Sequence, residues 1–332
     1  MDTPGTSPEP PTPPGQTIVI ERRERGGWFR RLVVPILLIV FLLYLFGGLI
    51  ARESGVPTRL MERYVAGEIS GPKIAVVEVE GVILDDEVEH ALRQIRQARD
   101  DDMVKAVVLR IDSPGGTVSG ADRIWRELAT LKARKKPVVA SMGGLAASGG
   151  YYIAAPADKI LAEPMTLTGS IGVLLELPQL KGLMEKIGVD VATITTGEWK
   201  DAGSPFRPIT PEERTRWHEV IDDAYDRFVR VIAQGRNLPL EEVKRVANGK
   251  VYTAQEAVTY KLVNELGYLD DAILQAQRLA RLETAHVIRY ARQSPLESLL
   301  GLSARKPPLQ LDAESILRLQ TPQILYLCLI YT

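Results

Sequence analysis

Residues 137–152 read PVVASMGGLAASGGYY, and this stretch decides the fold. Its first four residues form a short apolar, β-branched run, which predicts a buried strand. Residues 151–155 are apolar and small, which predicts a helix packed in the core. Ser148 therefore lies near the turn from strand to helix, where the glycines permit a tight turn and close approach by another chain.

Ser148 is a candidate nucleophile because of this position. Free N–H groups at a helix start can hold a developing negative oxygen beside such a serine. The logic is that of the nucleophile elbow of hydrolases, although the G-x-S-x-G pattern is absent. The alternative is a serine that caps a helix in a packing contact rich in glycine and alanine. From this stretch alone, the alternative is the interpretation we prefer.

Strands and helices alternate on both sides of this stretch. This alternation predicts an α/β fold with a parallel sheet and crossover helices. The predicted strands are residues 73–84, 104–111, 137–140, 159–162, 189–195 and 286–290. The predicted helices are residues 87–98, 121–132, 178–187, 211–236, 240–247, 254–261 and 269–283.

Composition excludes several classes of function. The 332 residues carry a net charge of −1, which argues against a nucleic-acid binder with a basic face. The single cysteine, Cys328, excludes an internal disulfide and a thiolate metal cluster. None of His90, His218 and His286 neighbours a glycine-rich loop, so a base other than histidine is the first choice for activating Ser148.

The N-terminal part of the chain reads as a tail followed by a membrane anchor. Residues 1–31 begin with six prolines within residues 1–16 and end with five arginines, which predicts a disordered, basic tail. Residues 32–50 are nineteen uncharged, mostly apolar residues, long enough to span a bilayer. The flanking arginines place the N-terminus in the cytoplasm. A buried core helix is the alternative, and residues 51–72 are interpreted as a linker with helical content.

Two glycine segments could form an oxyanion hole. Gly115 and Gly116 follow a predicted strand in the segment DSPGGT, residues 112–117, and can aim N–H groups into a cleft. The N–H near Gly149 would supply the other wall. An ordinary strand-to-helix turn is the alternative for residues 112–117.

Lys200 is a candidate general base. Burial beside Trp199 or Phe206 would favour the neutral amine, which is the form that accepts a proton. Ser170 offers a hydroxyl that could hold and orient this amine. The alternatives are a solvated loop lysine and a turn serine bonded to its own backbone.

Four of these stretches together resemble the signal peptide peptidase A family of membrane-anchored bacterial serine proteases. They are DSPGG (112–116), ASGGYY (147–152), TGSIGV (168–173) and KDAGSPFRP (200–208). GKVYTAQEA (249–257) and LVNELG (262–267) also match the family's C-terminal pattern. The family usually reads GLVD where residues 261–264 read KLVN, a departure far from the candidate dyad in sequence.

The resemblance covers about residues 73–285 and implies a Clp-protease/crotonase-like fold preceded by a single transmembrane helix. The protease domain then spans residues 73–300 and a C-terminal extension spans residues 301–332. By motif match, Ser148 is the nucleophile of an endopeptidase, Lys200 is the general base and Ser170 supports the lysine. Gly115, Gly116 and Gly149 lie at the oxyanion hole.

The resemblance also implies partners and location. One copy of the domain implies a homo-oligomer that completes the sites, with no metal or other cofactor. The substrates would be hydrophobic peptides such as signal-peptide remnants. The protein would cross the bacterial cytoplasmic membrane once, with its catalytic domain on the extracytoplasmic, periplasmic side.

Substrate binding and the C-terminal tail leave further expectations. A peptide would lie as an extra strand near residues 116–118 and 171–173. The apolar residues 322–332 could be a terminal strand, a subunit contact or a segment in a neighbour's groove, and we prefer the subunit contact. Two other functions remain open, namely a scaffold that binds peptides without cleaving them and an acyl-CoA enzyme on the same fold.

Overall fold

Two sheets organise the part of the chain that the computed structural model describes, which is residues 60–291 and 324–328 together with Pro35. The strands are β1 (Met61–Gly67), β2 (Lys73–Glu80), β3 (Val104–Ser113), β4 (Gly115–Thr117), β5 (Val138–Ala147), β6 (Lys159–Ala162), β7 (Leu167–Gly169), β8 (Leu174–Leu175), β9 (Val251–Thr253), β10 (Glu265–Leu266), β11 (His286–Ala291) and β12 (Ile324–Leu327). The helices are α1 (Asp85–Asp100), α2 (Val118–Ala133), α3 (Gly149–Ala154), α4 (Lys181–Ile187), α5 (Pro211–Arg236), α6 (Leu240–Val246), α7 (Ala254–Thr259) and α8 (Leu269–Leu279).

The larger sheet has the strand order β1–β11–β2–β3–β5–β6–β10, with β7 pairing β5 and β9. Strands β11, β2, β3, β5, β6 and β10 are parallel to their neighbours along this path, and β1 is antiparallel to β11. Helix α1 connects β2 to β3, and α2 leads from β4 to β5. The predicted α/β class with a parallel sheet is therefore confirmed.

The central strands carry runs of consecutive apolar residues, such as residues 74–77 in β2 and 106–109 in β3, because both faces of the sheet are covered. In β2, Ala75 and Val77 belong to the core that includes α1, α2 and α3, whereas Ile74 and Val76 belong to the core that includes α8. Successive side chains of a strand point to opposite faces, so a strand buried on both faces shows no alternation.

The smaller sheet is antiparallel and places Ile324–Leu327 beside β4, the strand that follows β3. Its strand order is β4–β12–β8, so β12 is held between two segments that are far from it in sequence. The terminal-strand interpretation of the tail is thereby confirmed for Ile324–Leu327, whereas the subunit contact that we preferred stays a prediction.

Two sequence predictions of secondary structure are wrong. The linker predicted to have helical content contains strand β1, which pairs with β11 and extends the sheet. Residues 189–195 contain no strand and are exposed, because their β-branched residues find no partner strand in the described part of the chain. The helix predicted for residues 178–187 begins three residues later, at Lys181.

The predicted tail, membrane span and most of the C-terminal extension lie outside the described residues. These are residues 1–31, residues 32–50 except Pro35, and residues 301–323 and 329–332. Among the residues that are described, no helix has the length and apolar character needed to cross a membrane.

Candidate active site

Ser148 stands at the junction of β5 and α3 in a strained backbone conformation. Its φ of 53° and ψ of −116° are unfavourable for a residue with a side chain, and its exposed fraction is 1%. Its amide donates to the Gly169 carbonyl (2.8 Å), and its own carbonyl accepts from the Tyr152 amide (2.8 Å). Backbone strain of this kind persists where surrounding structure imposes it, and it is concentrated at functional sites.

The two glycine segments that the sequence singled out meet at this junction. A Cβ atom added to Gly149 would lie 3.1 Å from the Cα atom of Gly115 and 3.2 Å from the Gly116 amide nitrogen. Gly115 has a φ of 99°, which a residue with a side chain rarely adopts. The Gly115 amide donates to Ser113 Oγ (3.1 Å), so the amides of Gly116 and Gly149 are the candidate oxyanion donors.

Strand β12 passes across these glycines as an extended peptide. Leu325, Tyr326 and Leu327 pair with Thr117, Gly116 and Gly115 of β4, respectively. On its other side, β12 pairs with Leu174 and Leu175 of β8. The chain's own C-terminal segment therefore lies between β4 and β8, next to the segments 116–118 and 171–173 at which we expect a peptide strand, and that expectation stays a prediction.

The carbonyl of Tyr326 is the one that faces the glycine segments. The Cys328 amide donates to the Pro114 carbonyl (2.8 Å), and bonded and non-bonded pairs alternate along antiparallel strands. The next bonded pair is therefore Tyr326 with Gly116, which directs the Gly116 N–H at the Tyr326 carbonyl. A Cβ atom on Gly115 would overlap this carbonyl oxygen.

The fold brings Ser170 to the same place. Residues Ala147 and Gly169 are paired across the parallel strands β5 and β7, so Ser148 and Ser170 directly follow paired residues. Ser170 is 8% exposed, has a φ of 48° and donates its amide to the Lys250 carbonyl (2.8 Å). A small pocket lined by Ser170, Leu174 and Leu327 opens beside it.

Lys200 is not part of this cluster within one chain. Ser148 Oγ is buried without a hydrogen-bond partner among the described residues, so no lysine amine contacts it there. Lys200 is exposed, and its neighbour Trp199 is 49% exposed. The burial that we expected around this lysine is therefore absent from the single chain.

None of the three histidines donates to or accepts from Ser148 Oγ in the described chain. His90 is on α1, His218 is on α5, and His286 begins β11, where its Nδ1 lies 2.6 Å from the Glu68 carbonyl oxygen. Within residues 60–291 and 324–328, no group of three or more His, Cys, Asp or Glu side chains could hold a metal ion.

The sequence did not predict the aromatic pocket that lies next to the site. Tyr326 packs against Tyr152 of α3 and Phe228 of α5, with ring centroids 5.1 Å and 4.5 Å apart. The tyrosine inside the apolar tail was the one sequence feature that pointed to this pocket. Its partners lie about a hundred residues or more away in sequence, so only the folded structure brings them together.

Two protein-family models and several known proteins match the sequence of the chain. The model for peptidase family S49 matches residues 130–283, and the Clp protease model matches residues 73–166, which supports a Clp-protease-like α/β fold. A protein of Methanocaldococcus jannaschii that is named as a protease is 40% identical over 61% of the chain. A protein of Enterococcus faecium named for signal peptide peptidase SppA is 39% identical over 67% of the chain, and a protease-named protein of Synechocystis sp. is 38% identical over 74%.

The aligned region covers different shares of these relatives. It spans 65% of the archaeal protein, 67% of the enterococcal protein and 87% of the cyanobacterial protein. The similarity therefore extends over most of the length of one relative and about two thirds of the other two.

Proposed function

Because the chain belongs to peptidase family S49, we propose that it is a serine endopeptidase whose nucleophile is Ser148. One observation carries this proposal. An extended segment of the chain crosses the strained, buried Ser148, with one peptide carbonyl directed at the glycines of the candidate oxyanion hole. A scaffold needs neither the strained serine nor the two glycine segments.

The proposed reaction proceeds through an acyl-enzyme. Neutral Lys200 takes the proton of Ser148 Oγ as that oxygen attacks a peptide carbonyl. The Gly116 and Gly149 amides hold the resulting oxyanion, and Ser170 orients the lysine amine. The amine leaving group takes a proton from the lysine, and water activated by the same lysine then releases the acyl group. The mechanism needs no cofactor.

The lysine is proposed to come from a neighbouring subunit of a homo-oligomer. Ser148 Oγ lacks a partner within the described chain, whereas Lys200 is exposed and available to another subunit. Apolar side chains in the sequence that precedes Lys200 are also exposed, among them Leu183 at 59% and Ile194 at 97%. Exposed apolar patches of this kind are typical of protein contact surfaces.

The proposed setting is the bacterial cytoplasmic membrane. Residues 32–50 would anchor the protein, with the N-terminus in the cytoplasm and the catalytic domain outside it. The proposed substrates are hydrophobic peptides, including signal-peptide remnants. Support for this class comes from the cleft, which holds the apolar strand Ile324–Leu327 in extended form.

Hydrolysis of a quenched fluorescent apolar peptide by the full chain tests this proposal. Ser148→Ala and Lys200→Ala should each abolish cleavage while leaving the circular dichroism spectrum unchanged. Mixing the two inactive variants before assembly should restore about a quarter of the parental activity, because random assortment around a closed ring pairs an intact serine with an intact lysine in that share of sites.

Other outcomes of these activity measurements would favour a different function or a different catalytic base. Lack of cleavage by the parent would favour a peptide-binding scaffold, and turnover of acyl-CoA would favour the third function considered above. An active Lys200→Ala variant would show that Ser148 uses another base. Inactive mixtures of variants that do co-assemble would contradict the sharing of sites between subunits.

A further inference from the structure

The lysine loop, residues 197–207, carries Lys200 and is tied down by a single arginine. The Arg207 guanidinium donates to both carboxylate oxygens of Asp201, at 2.9 Å for Oδ1 and 2.8 Å for Oδ2. Its Nη2 also donates to the Asp201 carbonyl oxygen at 3.1 Å. One side chain therefore holds both the carboxylate and the backbone of the residue that directly follows Lys200.

The same guanidinium is anchored to helix α5. Its Nη1 donates to Glu213 Oε2 at 3.0 Å, and its Nη2 donates to Glu213 Oε1. Glu213 is 4% exposed, and its Oε2 also accepts from the Thr210 amide at 3.0 Å. The second half of α5 packs into the core through four buried apolar residues. Arg207 therefore links the lysine loop to an element whose position the core fixes.

The lysine loop has few other contacts that could fix its position. Gly203 lies against α5, since a Cβ atom added to it would lie 3.5 Å from the Trp217 ring. The Pro205 carbonyl accepts from the Leu180 amide at 2.7 Å, but helix α4, which starts there, buries none of its residues. Within the described chain, the hydrogen bonds that join the loop to α5 all come from Arg207.

The chemistry of the contact between Arg207 and Asp201 favours a role in positioning. The two side chains are 32% and 21% exposed, and partly exposed ion pairs add little to stability. A bidentate contact is instead specific in geometry, because the planar fork of an arginine matches the two oxygens of a carboxylate. A lysine in place of Arg207 would keep the charge but would lose this fork.

We propose that Arg207 is a positioning residue for the general base, and that it fixes the lysine loop so that the Lys200 amine reaches Ser148 of the neighbouring subunit. The inference rests on the proposed peptidase function and adds the residue that orients its base. Arg207 acts through Asp201, because it contacts no reacting atom in the proposed mechanism. Catalysis is sensitive to such positioning, since a displacement of about 1 Å can cost about 100-fold in rate.

Steady-state cleavage of an apolar peptide by the full chain tests this role. Arg207→Gln should lower kcat by about 100-fold with KM within about 2-fold, because a displaced base slows the chemical step and leaves peptide binding intact. Arg207→Lys should still lose about 10-fold, since a point charge does not replace the planar fork. The circular dichroism spectrum and the light scattering of both variants should match those of the parent.

Arg96→Gln is the matched control for these substitutions. It removes an arginine–carboxylate contact between two elements distant from the lysine loop in sequence, Nε of Arg96 on α1 to Glu127 Oε2 on α2, at 3.2 Å. Its kcat should stay within about 2-fold of the parent, because substitutions of exposed side chains have small effects. A loss equal to that of Arg207→Gln would contradict the specific role of Arg207.

Asp201→Asn provides a second variant in case Arg207→Gln fails to fold or assemble. It leaves the bonds between Arg207 and Glu213 in place, so the buried Glu213 carboxylate keeps its partner. We expect kcat to fall by about 10-fold with KM unchanged, because the bidentate contact is lost and the loop is freed. A parental kcat in the folded Asp201→Asn variant would overturn the inference.

Mixed assemblies show whether Arg207 acts on the lysine. When Arg207→Gln is mixed with Ser148→Ala before assembly, one chain brings an intact serine and the other brings an intact lysine loop. About a quarter of the sites then combine the two intact parts, so about a quarter of the parental activity should return. When Arg207→Gln is mixed with Lys200→Ala, both chains carry a defective base, and activity should not rise above that of Arg207→Gln alone.

The outcomes separate this inference from the peptidase proposal. A parental kcat in Arg207→Gln, or equal recovery in the two mixtures, would overturn the positioning role while an inactive Ser148→Ala leaves the peptidase intact. If a mixture of Ser148→Ala and Lys200→Ala recovers no activity, the sharing of sites fails. The loss of kcat at unchanged KM then decides the role of Arg207 within one chain, and its absence would overturn that role.

A fluorophosphonate probe decides the inference if the parent cleaves no peptide and the peptidase proposal fails. In this labelling reaction Ser148 Oγ displaces fluoride from phosphorus and gives its proton to the base, so the rate reports the base without peptide turnover. Labelling that is slowed about 10-fold by Arg207→Gln and not by Arg96→Gln would support the positioning role. Equal labelling of the variants, or no labelling of Ser148 in any of them, would overturn it.

Discussion

Ser148 can reach a bound peptide because its neighbours lack side chains. The approach of α3 to β4 leaves no room for a Cβ atom at Gly115, which would lie 2.6 Å from the Gly149 amide nitrogen, and leaves only a tight fit for one at Gly149. Two hydrogen bonds hold the Ser148 backbone in its strained form. Its amide donates to the Gly169 carbonyl, and its carbonyl accepts from the Tyr152 amide. Strain at the serine and absence of side chains at the glycines are therefore two parts of one arrangement.

Gly115→Ala should strongly reduce peptide cleavage. The new methyl group would overlap the carbonyl oxygen of a peptide lying where Tyr326 lies, and it would lie 2.6 Å from the Gly149 amide nitrogen. We expect kcat/KM to fall by about 100-fold or more, as for other losses at an oxyanion hole. Steady-state hydrolysis of an apolar peptide measures this effect.

Gly144→Ala provides the matched control for that substitution. A Cβ atom on Gly144 would meet nothing within 4 Å, and Gly144 is not among the glycines with positive φ. Its activity should stay within about 2-fold of the parent, since unstrained exposed substitutions have small effects. Similar losses in both variants would contradict the proposed role of the Gly115 position.

At the scale of elements, we expect strand β12 to compete with substrate for the cleft. Tyr326 contributes its ring and its hydroxyl to this competition, so Tyr326→Ala should weaken the internal strand. We expect KM for an added peptide to fall by about 3- to 10-fold with kcat unchanged, because a competing occupant weakens the apparent binding of the peptide and does not change the chemical step. Tyr64→Ala, on β1, is the control, and an unchanged KM in Tyr326→Ala would show that the strand does not compete.

The start of α5 should stabilise the fold in a pH-dependent manner. Hydrogen bonding from Arg207 holds the pKa of Glu213 below its usual range, with help from the Thr210 backbone. A lowered folded-state pKa gives stability that is present above the unfolded-state pKa and is lost as pH falls through the folded-state value. The carboxylate also completes a capping box with Thr210.

Glu213→Gln should therefore be less stable than the parent at pH 7. At an acid pH below the lowered folded-state pKa of Glu213, where the parental carboxyl is protonated, this difference should disappear. Urea unfolding at both pH values measures this change. Glu212→Gln, an exposed neighbour in the same turn, is the control. A stability difference that stays constant across this range would rule out the ion pair as its cause.

The local sequence pattern predicted the strands and helices whose signals lie within their own residues. It did not predict the elements that form through contacts with residues distant in sequence. The apolar runs of β2, β3 and β5 and the capped helix α5 were predicted from sequence because their signals are local. Strand β12 and the pocket around Tyr326 depend on contacts across about a hundred residues or more, which no periodicity encodes. Residues 189–195 have the composition of a strand but no partner strand in the described chain, so the strand predicted from their composition is wrong.

At the scale of the whole molecule, the segment around Lys200 lacks a core of its own. Helix α4 has no buried residue, and Leu183, Ile187 and Ile194 are all exposed. The sequence predicted the serine and the lysine as a pair whose site is completed in a homo-oligomer, and Ser148 Oγ has no hydrogen-bond partner among the described residues. A contact between copies of the chain would cover these apolar side chains and supply the missing base.

Leu183→Asp should dissociate the assembly and abolish activity together. A charge on this exposed helix face would have to be desolvated in a subunit contact, which costs far more than exposing it in a monomer. We expect a smaller species in light scattering and a loss of peptide cleavage of about 100-fold or more, as for the removal of a general base. Ile69→Asp is the control, because Ile69 is 87% exposed in the turn between β1 and β2. A dissociated Leu183→Asp variant that keeps full activity would place a complete site within one chain and overturn the shared-site proposal.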